Sequence, residues 1–168
     1  MANTYELISS YTVGAGGAAS IDFSSIPSTY TDLRVILTGT TASQSFPFLR
    51  FNSDTATNYS GTYLDGSGSA ASSLRDSNIS GIYIAGANGD FTSTQISTAQ
   101  IDIFSYAGST YKTFLSRVSQ DRNGSGATGM TVGLFRSTSA ISSITLTSDF
   151  TATFATGSTA TLYGIKSA

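Results

Sequence analysis

The stretch FNSDTATNYSGTYL (Phe51 to Leu64) sets Asn52, Asp54 and Asn58 close together. Side-chain oxygens in such a cluster can share a calcium ion, hydrogen-bond a sugar, or turn the chain between two strands. A calcium loop of the EF-hand kind needs oxygen ligands at alternate positions, a central glycine and a terminal glutamate. Asn52, Asp54 and Asn58 do not keep that spacing and no Glu follows, so only a looser site is open to a cation, with Asp54 giving carboxylate oxygen and its neighbours carbonyls. An Asx-type turn asks for less, because the Asn52 and Asp54 side chains then need only bond the nearby backbone. We read the stretch as a turn that positions two strands, keep metal and sugar as lesser alternatives, and assign no metal, cofactor or catalytic residue.

Other chemistry is scarce. The chain has no His and no Cys, one Glu (Glu6) and two Lys (Lys112 and Lys166). General acid–base work near neutral pH most often uses His. A glycosidase-like carboxylate pair could form if Asp22, Asp32, Asp65, Asp102 or Asp149 converged in space, but they are far apart in sequence and most stand beside turns or on alternating strand faces, where solvated or turn-capping Asp is the common case. No G-x-S-x-G elbow activates any of the many serines. An enzyme is therefore not expected. GSGATG (Gly124 to Gly129) matches the dinucleotide-binding G-x-G-x-x-G literally, but that motif needs a following helix, and the next residues, MTVGLFR, are strand-like. Asn58, Asn78 and Asn123 stand in glycosylation sequons, which a chain this rich in Ser and Thr produces by chance.

The elements that must carry these residues are strands. Ser and Thr make up about a third of the 168 residues, and charged residues only 11% against about 25% in an average domain. Phe, Tyr and β-branched residues fit a pleated, half-buried surface, while Ser and Gly disfavour helices. The net charge of −2 gives no basic field for a phosphate backbone, so nucleic acid is not an expected partner. No hydrophobic run approaches the roughly 20 residues of a membrane span, and MANTYELISS lacks the basic and apolar regions of a secretory signal. The length suits one domain with one core.

Strand patterns fall near 6–13, 18–23, 32–40, 46–51, 61–64, 79–85, 96–106, 111–120, 130–136, 143–150 and 160–165, the spacing of an all-β sandwich or barrel. ANGD (87–90) and RNGS (122–125) contain Asn-Gly, a tight-hairpin signal. GAGGA (14–18) and LDGSGSAASS (64–73) read as longer, mobile loops, and Pro47 places its strand at an edge or a bulge. Leu33, Val35 and Leu37 share one strand face, as do Ile144 and Leu146. Ile36, Phe104, Phe114, Val118 and Tyr163 fall opposite the nearest regular core stripe. A second subunit covering them, or strands lying between two layers, would each explain that surplus.

Four segments carry a resemblance: SIDFSSIPSTYTDLRVIL, LRFNSDTATNYSGTYL, AQIDIFSYAGSTYKTFLSR and the close SAISSITLTSDFTATFATGSTATLYGIKSA. Together they resemble small bacteriophage virion proteins over nearly the whole chain. The pattern is F-x-x-I-P-x-x-Y-x-x-L at Phe23, Ile26, Pro27, Tyr30 and Leu33, then R-F-N-x-D-x-x-x-N-Y at Arg50, Phe51, Asn52, Asp54, Asn58 and Tyr59, then L-Y-G-I at Leu162 to Ile165. The resemblance implies an antiparallel, jelly-roll-like β-sandwich in a single domain, a homotrimer exposed on a virion assembled in the bacterial host cytoplasm, and no active site. Without the long shaft of a full tail fibre, the chain fits a capsid decoration or cement protein that stabilises the particle beside the major capsid or tail proteins. The alternative is a tail-fibre or tail-tip adhesion module for host surface glycan, suggested by Tyr59, Tyr63, Asn78, Tyr83 and Asn88, although strand tyrosines more often pack across strands.

Overall fold

A computed structural model describes residues 4–86, 91–148 and 152–166. Twelve strands run in chain order: β1 (Tyr5–Thr12), β2 (Ser20–Phe23), β3 (Asp32–Gly39), β4 (Pro47–Phe51), β5 (Tyr59–Gly66), β6 (Ala71–Ile79), β7 (Ile82–Tyr83), β8 (Ser97–Phe104), β9 (Lys112–Asp121), β10 (Gly126–Phe135), β11 (Ile144–Ser148) and β12 (Thr159–Ile165). They form an antiparallel eight-stranded sheet, β1-β12-β3-β8-β9-β10-β5-β6, and a four-stranded sheet, β2-β11-β4-β7. The expected all-β, two-sheet architecture is present. The chain passes repeatedly between the sheets, with β2, β4, β7 and β11 each flanked in sequence by strands of the larger one, and a single core fills the space between.

Alternation explains the best-formed strands. In β3, Leu33, Val35 and Leu37 are fully buried while Arg34, Ile36 and Thr38 face outward and are partly covered. Ile144 and Leu146 likewise point into the core from β11. Asn123 and Gly124 take positive φ (53° and 105°) between β9 and β10, and the Arg122 N–H bonds the Ser125 carbonyl at 2.8 Å, as a tight hairpin requires. The ANGD signal lies at 87–90, outside the described residues.

Three expectations need correction. Part of the supposed loop at 64–73 is strand: β5 runs on to Gly66, a turn at 67–70 closes with the Ser67 N–H on the Ala70 carbonyl, and β6 begins at Ala71. Almost all of β6 is exposed on both faces, so it has no apolar alternation to read. Pro47 is neither at an edge nor at a bulge. It opens β4, which lies between β11 and β7, and β7 pairs only with Phe48 and Leu49, so the missing N–H falls at the strand's first residue.

The third correction concerns side-chain parity. Phe114 and Val118 belong to the core, because β9 turns Lys112, Phe114, Ser116, Val118 and Gln120 inward; the interleaved polar residues hide the stripe. Of the other surplus positions, Phe104 is exposed on the outer face and Ile36 and Tyr163 are half-buried there. Next to Phe114, β10 turns Gly129, Thr131 and Gly133 inward and Met130, Val132 and Leu134 outward. Gly133 leaves room for the Phe114 ring, since a Cβ there would come within 2.1 Å of it.

Candidate functional site

Asn52 follows the end of β4 with φ 53°, and Ser53 takes φ 54°. This left-handed corner turns the chain out of the small sheet, and Asn tolerates it better than most residues. The Asn52 side chain then reaches the loop before β11: its Nδ2 donates to the Ala140 carbonyl at 2.8 Å, and its Oδ1 accepts the Ser142 and Ser143 N–H groups at 2.8 and 3.2 Å. Asp54 closes an Asx-type turn, its Oδ1 accepting the Ala56 N–H at 2.7 Å and its Oδ2 the Asn58 amide at 2.9 Å. Below it, Tyr59 is buried; its hydroxyl accepts the Phe51 N–H at 3.0 Å and donates to the Phe51 carbonyl at 3.2 Å. Burial pushes that hydroxyl up to about 12, so it stays protonated at any physiological pH.

The side-chain oxygens of Asn52 and Asp54 are thus engaged with backbone and with the Asn58 amide, and the three residues hold two loops and a strand start together. Asn52→Ala should lower stability by about 2–3 kcal/mol, combining lost hydrogen bonds with strain at positive φ. Chemical denaturation with and without millimolar calcium checks it. The wild-type midpoint should not move with calcium, whereas a rise would restore the metal reading.

The other candidate residues are dispersed. Asp22 stands exposed on β2, accepting the Ser20 and Thr145 hydroxyls at 2.6 and 2.7 Å. Asp32 accepts the Ser105 N–H at 2.7 Å. Asp65 points inward from β5, only 2% exposed, against two glycines, and a Cβ on Gly86 would lie 1.9 Å from its carboxylate. Asp102 is on the outer face of β8, and Asp149 lies outside the described residues. Asp22, Asp65 and Asp102 therefore occupy different sheets or opposite faces. Among the described residues no group of three or more His, Cys, Asp or Glu is placed to share a metal ion. The G-x-G-x-x-G match runs into β10, with no helix to present N–H groups to a phosphate.

Tyr63, like Tyr59, is buried, and Tyr83 is half-buried with its ring edge-on to Phe48 at 5.0 Å. Asn78 is exposed and accepts a 2.8 Å bond from Arg136, while Asn88 is outside the described residues. Lys112 is fully buried, its Nζ donating to the Thr110 and Ser137 carbonyls, and burial lowers its pKa. Lys166 pairs with Glu6 at 2.7 Å on the surface.

Sequence reasoning set Ile36, Phe104 and Tyr163 opposite the core stripe, where they do lie, but missed the polar cluster and the Leu64, Met130 and Val132 group on the same outer face of the large sheet. One row of partners across the strands reads Leu7, Tyr163, Arg34, Asp102, Leu115 and Val132. At its centre Asp102 accepts Arg34 Nε at 2.5 Å, Gln100 Nε2 at 3.0 Å and an Arg117 guanidinium nitrogen at 3.3 Å; Arg34 also donates to the Tyr5 hydroxyl at 2.6 Å and lies over its ring. Burial opposes ionisation of Asp102, but the hydrogen bonds from Arg34, Gln100 and Arg117 outweigh it and hold the carboxyl below its ordinary value. Because the folded value is depressed, the stabilisation is present above the unfolded value of about 3.9 and lost as pH falls through the folded one. Asp102→Asn should cost about 1–2 kcal/mol at pH 7, and the gap between the two proteins should close as pH falls below about 4. Urea midpoints at pH 7 and pH 3 test this.

Beside this cluster, Leu64, Met130 and Val132 are 57%, 41% and 54% exposed on the same face. They adjoin two shallow hollows of about 370 and 440 Å³, whose other walls include Arg117, Thr128, Thr62 and Arg75. The signal was present in MTVGLF, where Met130 and Val132 alternate with small residues, but the apolar stripe reads as core until Phe114 is known to occupy the inner side.

Comparison with protein-family models, curated proteins and solved structures finds no match to the chain. Among the described residues no helix is long and apolar enough to cross a membrane.

Proposed function

We propose that the chain is a non-enzymatic structural protein of a bacteriophage virion, a capsid decoration or cement protein that stabilises the particle through contacts with other virion proteins. The observation that carries this reading is the exposed apolar stripe of Leu64, Met130 and Val132, neighbours on the outer face of the large sheet and bordered by Thr and Arg side chains. An apolar patch rimmed by polar groups is the usual mark of a protein–protein contact. The resemblance to small virion proteins agrees with it, since its motif residues build the frame: Phe23, Ile26, Leu33, Phe51 and Tyr59 are buried, and Asn52 and Asp54 fix the loop between them. With few charges to screen, such contacts hold across a wide range of salt.

The adhesion alternative has less to stand on, because Tyr59 and Tyr63 lie in the core and are not available to stack on a sugar. The test is binding of the purified chain to virions stripped of it. Val132→Asp should reduce binding at least tenfold while leaving thermal unfolding nearly unchanged, since Val132 is 54% exposed, and raising salt from about 0.05 to 0.5 M should change wild-type binding by less than about threefold. Undiminished binding by the variant would remove this face from the contact, and no binding by the wild type would remove the decoration role.

A further inference from the structure

The eight-stranded sheet ends at β1 and at β6. At β1 the ladder with β12 slips between Leu7 and Ser9, a bulge of the kind that twists an edge away from new partners. At the other edge, the β5–β6 ladder also slips, between Ser77 and Ile79 where Asn78 takes φ 56°, and Arg75 and Asp76 put charge on the strand, a further device against edge pairing. From Ala71 to Ser77, however, β6 pairs with β5 in continuous register, with neither bulge nor proline.

The hydrogen-bond phase of this edge follows from its turn. Because the Ser67 N–H bonds the Ala70 carbonyl, the pairs Asp65–Ser72, Tyr63–Leu74 and Gly61–Asp76 exchange bonds across the β5–β6 hairpin. The intervening residues, Ala71, Ser73, Arg75 and Ser77, direct their N–H and C=O groups away from β5, and among the described residues no other strand borders them.

We propose that β6 docks a second copy of this chain, edge to edge and antiparallel, about a two-fold axis through Leu74. In that register Ala71 pairs with Ser77 of the other copy and Ser73 with Arg75, so the outward groups of all four exchange about eight backbone hydrogen bonds. Leu74, 52% exposed in the single chain, meets its own counterpart, and Ser72 faces Asp76. Centring on Arg75 would set two guanidiniums opposite each other, and centring on Asp76 two carboxylates, both unfavourable. Centring on Ser73 leaves Ser77 unpaired. The two-fold keeps the outer faces on one side, so the dimer carries two Met130–Val132 stripes on one continuous sheet. This inference does not depend on the virion reading.

The chain has no cysteine, which permits a clean test. Leu74→Cys would place two thiols at a close-spaced pair with Cα atoms about 4.5 Å apart, within reach of a disulfide, whereas two Ser77→Cys sites would be about 20 Å apart. Expected are a dimer mass by light scattering at about 50 μM, a disulfide-linked dimer from Leu74→Cys but not from Ser77→Cys, and at least a tenfold weaker dimer for Leu74→Lys with unchanged thermal unfolding. A monomeric wild type would overturn the proposal. So would an oligomer that ignores Leu74→Lys and does not cross-link through Leu74→Cys; if that oligomer is a trimer, it would match the threefold assembly implied by the resemblance. Binding to stripped virions is read separately, so the failure of either idea leaves the other standing.

Discussion

Phe114→Ala should lose about 3–5 kcal/mol of stability, the largest effect expected of any single truncation in this chain. Phe114 is 1% exposed and sits where the two sheets meet: its ring is edge-on to Phe51 of the small sheet at 5.7 Å, and Phe51 in turn contacts Phe135 and Tyr59, which stack on each other at 4.7 Å. Such pairs contribute beyond their buried area. Removing the Phe114 ring leaves a void against Gly133, a residue with no side chain that could move into it. With a stability of the usual 5–15 kcal/mol, the loss should appear as a drop of about 8–15 °C in melting temperature.

The second large effect comes from the opposite side of the same contact. Gly133→Val should cost about 3 kcal/mol, because its Cβ would lie 2.1 Å from the Phe114 ring, which is buried against Phe51, and β10 is paired on both sides. The two changes should not add. Truncating Phe114 vacates the space that the introduced valine side chain needs, so the double variant should be more stable than the sum of the single losses predicts, by about 1–3 kcal/mol. Urea denaturation of the four proteins measures this directly. Strict additivity would mean that ring and glycine do not share the space and that the inverted parity of β10 has another cause.

That parity marks the limit of what the sequence reveals. β3 was readable because Leu33, Val35 and Leu37 alternate against Arg34 and Thr38, and the β9–β10 hairpin because Asn123-Gly124 needs positive φ. β10 was readable as a strand at 130–136 but its facing was not, since its inward positions are glycine and threonine set by the size of a ring on the next strand, a fact of packing and not of local pattern. β6 lacks any buried face, so an edge strand built of Ser, Arg, Asp and Asn looks like a loop. In FNSDTATNYSGTYL the Asx-type turn was legible from residue type alone. The long-range bonds from Asn52 to residues 140–143 were not, because nothing in the sequence marks which distant loop will pack there.

These features converge on a surface economy suited to assembly. Polar and charged groups at the centre of the outer face are engaged with one another, as in Tyr5, Arg34, Asp102, Gln100 and Arg117, and beside them Leu64, Met130 and Val132 form an apolar group that gains by being covered. The free edge of β6 adds a second, independent means of contact, one made of backbone and therefore directional.

The virion role itself is most directly tested by immunogold electron microscopy of virions from the source of this chain, using an antibody raised against the purified protein. Gold distributed over the whole capsid shell is the predicted result. Gold confined to the tail end would contradict decoration and return the adhesion module to first place, and particles without any gold would contradict a virion role altogether.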